Sequence, residues 1–130
     1  MYIFKAKVYY EDTDAIGVVY HANYLKFCDR ARTQWLADLG IFDDLASSSS
    51  TFVVAAATMR FIAPARLGDE LRVNTSVEQF GRASVTFFQT VERDSDQRRL
   101  FEASIRCAHV AGSTLKPARM PLHYTSRFTD

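Results

Sequence analysis

Residues 23–40 read NYLKFCDRARTQWLADLG. Within them Tyr24, Phe27, Cys28, Ala31, Trp35 and Leu39 recur at i, i+3, i+4, i+7, i+11 and i+15, the stripe of an amphipathic helix. Lys26, Asp29, Arg30, Thr33 and Asp38 take the opposite face, so one side of the helix is buried and the other meets water. Asn23 is the expected N-cap. Gly40 suits the left-handed residue just past the last turn, which bounds the helix at about four and a half turns. No other long helical stripe occurs in the chain, so the remaining elements must be arranged around this one.

Working outward, residues 2–9 are apolar and aromatic with Lys5 and Lys7 at alternate positions, a strand with one wet face. Ile41 to Ala46 adds one short turn, and Ser47 to Thr51 reads as a mobile loop. FVVAAATMRFIAP (52–64) is apolar almost without alternation until Arg60, the pattern of a strand covered on both faces, and Pro64 ends it. Three later segments alternate with period two, always with the apolar side on odd numbers: Leu71, Val73, Val77; Val85, Phe87, Val91; Phe101, Ala103, Ile105, Cys107. Phe80-Gly81-Arg82 and Asp94-Ser95-Asp96-Gln97 separate them as hairpin loops. The order β-α-β-β-β-β predicts an α+β fold in which one curved antiparallel sheet wraps the single long helix.

The chain has 130 residues, 48% hydrophobic and 24% charged, which fits one domain spanning 1–130 with a core of its own. A net charge of +1 gives no field that would gather nucleic acid or a membrane surface. MYIFKAKVYY has lysines inside its apolar stretch and no cleavage site follows, so a cytoplasmic protein without membrane insertion is expected. Cys28 and Cys107 lack metal-ligand spacing and lie in apolar-periodic segments, as reduced core thiols do. Zinc signatures, a G-x-S-x-G elbow and a Gly-rich phosphate cradle are all missing from the sequence.

YYEDTDAIGVVYHANYLKFCDRARTQWL (9–36), RFIAPARLGDEL (60–71) and LKPARMP (115–121) resemble the 4-hydroxybenzoyl-CoA thioesterase family, nearest to its Tol-Pal-associated acyl-CoA thioesterase branch. The resemblance implies the hotdog fold, a long helix enveloped by an antiparallel sheet. It implies homodimers joined edge to edge, often paired again into homotetramers. An acyl-CoA substrate follows too, with no metal and no cofactor, coenzyme A being part of the substrate. Residue by residue, it places catalysis on Asp14, the second Asp of the D-x-D element, with Gly17, Tyr20 and His21 in the remaining motif positions. The His21 backbone amide would polarise the thioester carbonyl. Arg82 and Ser84, in the loop GRAS, would meet the phosphates and pantetheine, although this loop departs from the arginine-rich versions of similar proteins.

Thioester hydrolysis needs an activated nucleophile and a group that stabilises the developing oxyanion. A helix N-terminus supplies the second through its unpaired amides and partial positive charge. Asp14 precedes the helix by nine residues, so the intervening loop must fold back to bring its carboxylate to the thioester. Direct attack and activation of water both remain open for it. Asp12 is expected to bond turn amides, and the His21 imidazole either shields the helix start or orients substrate. Tyr24, Phe27 and Trp35 belong to the core stripe. Ala55 to Ala57 either pack tightly or leave room for an acyl group or a close subunit contact. Arg60, Arg66 and Arg119 are surface cations by default. The rival readings are a hotdog dehydratase, which would call for a G-H-x-x-G-x-P loop that is missing here, and a non-catalytic acyl-CoA-binding or envelope-associated interaction protein.

Overall fold

The computed structural model of the protein describes residues 1–128. Strand β1 (Tyr2–Lys7) alternates as the sequence predicts: Tyr2, Phe4 and Ala6 turn inward, and Ile3, Lys5 and Lys7 face solvent. Helix α1 spans Asn23–Asp38 and a short α2 spans Ile41–Ser47. They are followed by β2 (Ser50–Phe61), β3 (Glu70–Phe80), β4 (Ser84–Arg93), β5 (Arg99–Ala111) and a terminal α3 (Leu122–Arg127). The five strands form one sheet in the order β1-β3-β4-β5-β2 with every pairing antiparallel. Register shifts between Val54 and Ala56 in β2 and between Val77 and Gln79 in β3 mark bulges, which bend strands and deepen twist. The sheet thereby curves around α1.

The core lies between α1 and the sheet's inner face. Phe27, Cys28 and Ala31 from the helix are fully buried with Val73, Val85, Val91 and Phe101 from the strands, so the helical stripe and the odd-numbered pattern are both confirmed. A buried polar network pins the two layers together. The fully buried Gln89 donates from Nε2 to the Cys28 carbonyl (3.0 Å) and the Thr75 hydroxyl (2.8 Å), and its Oε1 accepts from Arg32 (2.9 Å). Each polar atom of the Gln89 amide group therefore has a partner, which a buried amide requires. Gly40 adopts φ +73° just beyond α1, the left-handed conformation expected of it.

Four expectations are corrected. Asn23 is not the N-cap; Ala22 is, without any side-chain cap bond, and Asn23 sits inside the first turn. The Ser47–Thr51 loop is shorter than read, since α2 runs through Ser47 and β2 begins at Ser50. Strand β2 is not covered on both faces: it is the sheet edge, with Val54 56% and Phe61 54% exposed. Its apolar run fits a covered strand, yet Val53 to Phe61 are all exposed. Finally, the element order does not end with the sheet: α3 closes one end of the core, its C-cap residue Phe128 packing edge-on against Trp35 at 5.1 Å between centroids.

Candidate active site

The acidic stretch folds into a small hairpin that runs directly into α1. Thr13 and Val19 form its bridge, the Asp14 amide donates to the Val18 carbonyl (2.9 Å), and the Tyr20 amide donates to the Asp12 carbonyl (2.9 Å). Gly17 turns the tip at φ +81°. A Cβ there would meet no protein atom within 4 Å, so the left-handed backbone rather than tight space demands glycine. Val19 and Leu67 anchor the hairpin: the Val19 amide donates to the Ala65 carbonyl (2.9 Å) and the Leu67 amide to the Gly17 carbonyl (3.2 Å). The chain thus folds back on itself before the helix.

The two aspartates of this hairpin have different surroundings. Asp12 is 3% exposed, its Oδ2 accepting from the Tyr9 amide (2.9 Å) and its Oδ1 from Asn23 Nδ2 (2.9 Å). Asp14 is exposed; its Oδ1 accepts from the amides of Ile16 (3.0 Å) and Val18 (3.4 Å), and its Oδ2 accepts no hydrogen bond among the described residues. The fixed carboxylate therefore keeps one oxygen available. Beyond the hairpin, the His21 amide has no hydrogen-bond partner among the described residues, and no side chain caps α1. Unpaired donors and the helix dipole leave this end receptive to negative charge.

A cavity of about 320 Å³ opens beside the helix start, lined by Val19, His21, Tyr24, Phe61, Ala63 and Pro64 among others. The Tyr20 ring lies 4.4 Å from that of His21, which meets Phe61 edge-on at 6.4 Å. Tyr24 stacks on Phe101 at 4.8 Å and accepts the Ala65 amide at 3.0 Å, and burial pushes its phenol above the ordinary value. A second groove of about 540 Å³ runs between α1 and β2, walled by Leu25, Val54, Ala57 and Ile105 with Lys26 and Arg32 at its sides. Ala57 thus opens onto space, while Ala55 falls at the β2 bulge.

Arg82 and Ser84 are elsewhere. The hairpin sits at the Asp69 end of β3, where the Val8 amide donates to the Asp69 carbonyl (3.0 Å), whereas Arg82 follows Phe80 at the other end. Eleven strand residues separate the two ends, roughly 35 Å at the usual rise. Arg82 is exposed and shares a cavity of about 290 Å³ with Phe80, Arg119, Met120 and Leu122. In a single chain the candidate residues therefore form two groups, Asp14, Gly17, Tyr20 and His21 at one end and Arg82 and Ser84 at the other.

Residues 8–128 match the thioesterase-like superfamily. The chain belongs to that superfamily. It is 37% identical over 127 residues to the acyl-CoA thioesterase YbgC of Haemophilus influenzae, across 96% of this chain and 92% of the relative. It is 32% identical over 124 residues to the acyl-CoA thioesterase YbgC of Helicobacter pylori, across 90% and 92%. The crystal structure of Slr0204, a 1,4-dihydroxy-2-naphthoyl-CoA thioesterase from Synechocystis, superposes with a TM-score of 0.87 at 24% identity, over 98% of this chain and 94% of that one. The fold is the hotdog fold expected from the sequence, and the enzyme class is a hydrolase.

Within this thioesterase the thiols stand apart from the chemistry. Cys28 and Cys107 are free and buried, and burial pushes the Cys28 thiol up to about 12 and raises that of Cys107. Neither supplies a thiolate at neutral pH. Sequence reasoning misses two features of the site. Asn23 reads as a cap, although it lies within the 9–36 segment of the resemblance, two residues after His21. Phe61 reads only as a strand residue, and the signal is its place in RFIAP, a segment of the resemblance.

Proposed function

We propose that this hotdog hydrolase cleaves acyl-CoA thioesters to the free acid and CoA in the cytoplasm, with Asp14 as nucleophile or general base and the His21 amide as the oxyanion donor. The observation that carries this reading is the exposed Asp14 carboxylate, whose Oδ2 has no partner among the described residues, on a hairpin leading straight into the uncapped start of α1. The relatives' printed activity supports acyl-CoA as the substrate class.

In the proposed reaction the acyl group enters the aromatic-walled cavity beside His21 and its carbonyl oxygen accepts the His21 amide. Asp14 either attacks the carbonyl carbon, forming an acyl anhydride that water then hydrolyses, or takes a proton from the water that attacks. Both routes break the same carbon–sulfur bond and release CoA as thiol once a proton reaches its sulfur. Gly17 fixes the turn, and Tyr20 holds the His21 ring by packing against it.

The separation of Arg82 from Asp14 supports a site shared between two copies. Antiparallel pairing of two β2 edges about a two-fold axis sets the Phe61 end of one strand beside the Ser50 end of the other. His21 packs at the Phe61 end, and Ser84 pairs with Ala108 near the Ser50 end. Arg82 and Ser84 of the partner subunit then face the Asp14 hairpin, with Arg119 beside Arg82 for the CoA phosphates. A pairing of dimers into a homotetramer and membership of the Tol-Pal-associated branch complete the proposal.

The test is CoA release from acetyl-, butyryl-, octanoyl-, palmitoyl- and benzoyl-CoA. At least one is expected to be hydrolysed with kcat/KM above about 10⁴ M⁻¹s⁻¹. No release above the uncatalysed rate from all five contradicts the proposal.

A further inference from the structure

Asn23 has an Asn's side chain at the start of a helix but does not cap it. Its Nδ2 instead donates to Asp12 Oδ1 at 2.9 Å, and the pair is buried, 6% and 3% exposed. Among the described residues this is the one side-chain hydrogen bond joining the 9–20 segment to α1. Its two ends are placed symmetrically about the reacting groups: Asp12 is two residues before Asp14, and Asn23 is two residues after His21. Asp12 is held on its other side by the Tyr9 amide at Oδ2 (2.9 Å) and through its carbonyl by the Tyr20 amide (2.9 Å). Both carboxylate oxygens are partnered and lie out of solvent, so Asp12 is a strut rather than a reagent.

From this geometry we infer that Asp12 and Asn23 are positioning residues that set the Asp14 carboxylate against the His21 amide. This rests on the reading of Asp14 and His21 given above. A cap interaction would stabilise α1 and tie up a first-turn amide; the Asp12–Asn23 bond leaves the helix start without a side-chain cap. The sites of attack and of charge stabilisation belong to different elements, and displacing one against the other by about 1 Å costs on the order of a hundredfold in rate.

The test compares Asn23→Ala, Asn23→Asp and the double exchange Asp12→Asn with Asn23→Asp, using Asn74→Ala as a stability control. Asn74 is another buried amide, 8% exposed, that donates to Thr90 and Glu92 away from the hairpin. In the exchange, the side-chain amide introduced at position 12 accepts the Tyr9 amide and donates to the carboxylate introduced at position 23, restoring the bond with its direction reversed. Both single variants of Asn23 should lose kcat by roughly ten- to a hundredfold with KM changed by less than about threefold. The exchange should recover kcat to within about threefold of wild type, and Asn74→Ala should lose thermal stability yet keep kcat. A folded Asn23→Ala with wild-type kcat, or an exchange no faster than Asn23→Asp, overturns the inference. Asp14→Asn assayed alongside separates the two readings. Turnover retained there removes the Asp14 assignment and the inference with it. Turnover lost there but kept in Asn23→Ala removes the positioning role alone.

Discussion

Asp12 and Asp14 are two residues apart on one hairpin and have opposite surroundings. Asp12 is paired at both oxygens and buried, while the exposed Asp14 has no partner at Oδ2 among the described residues. Their identical side chains differ in what the fold brings to them: Asn23 reaches Asp12 from the helix, and among the described residues Asp14 accepts only from amides of its own turn. Local motifs such as D-x-D and GVVYH are legible because their spacing is fixed along the chain. The role of Asn23 is not, since its partner lies eleven residues away and a helix-start asparagine reads as a cap. Arg82 belongs to this scale too. It is exposed and has no ion-pair partner among the described residues. Arg82→Ala is expected to raise KM for an acyl-CoA by about three- to tenfold, and KM for the corresponding acyl-pantetheine by much less. Equal changes for both substrates would show that the guanidinium does not meet the nucleotide phosphates.

Helix α1 and the three meander strands are readable because each buries one face against the same core, and periodicity records that directly. Helix α3 is not readable. Its six residues carry no stripe, and it is held by tertiary contacts: Asp44 of α2 accepts from Arg127 at 2.7 Å and pairs with His123 at 3.1 Å. The His123 hydrogen bond, with Arg127 adding charge, holds the Asp44 carboxyl below its ordinary 3.8. A carboxyl whose folded value is depressed stabilises the fold above its unfolded value, and that contribution disappears as pH falls through the folded one. Asp44→Asn should therefore lower the melting midpoint at pH 6, and the difference should narrow toward wild type below about pH 3. Melting curves at the two pH values check it; a difference that stays constant contradicts the role of the charge. Strand β2 misleads for a related reason. The run from Phe52 is as apolar as a covered strand, but it lies at the sheet edge with much of it exposed, and an apolar pattern alone does not tell an edge strand from a central one.

At the scale of the whole molecule, the proposed second copy paired through β2 would account both for the exposed apolar edge and for the separation of Asp14 from Arg82 between two ends of the sheet. Mixing Asp14→Asn with Arg82→Glu after dissociation and reassociation at equal concentrations tests it. Random pairing makes about half the dimers mixed, and each mixed dimer has one site with both lesions and one with neither. About a quarter of wild-type activity should return. No recovery despite demonstrated subunit exchange, with each parent inactive alone, contradicts the shared site. The most direct measurement concerns Asp14 itself: single-turnover CoA release by Asp14→Asn on the acyl-CoA that wild type hydrolyses fastest. The predicted result is a fall of at least about 10³-fold with the melting midpoint and CoA binding retained. Release by a folded Asp14→Asn within about threefold of wild type would contradict the account.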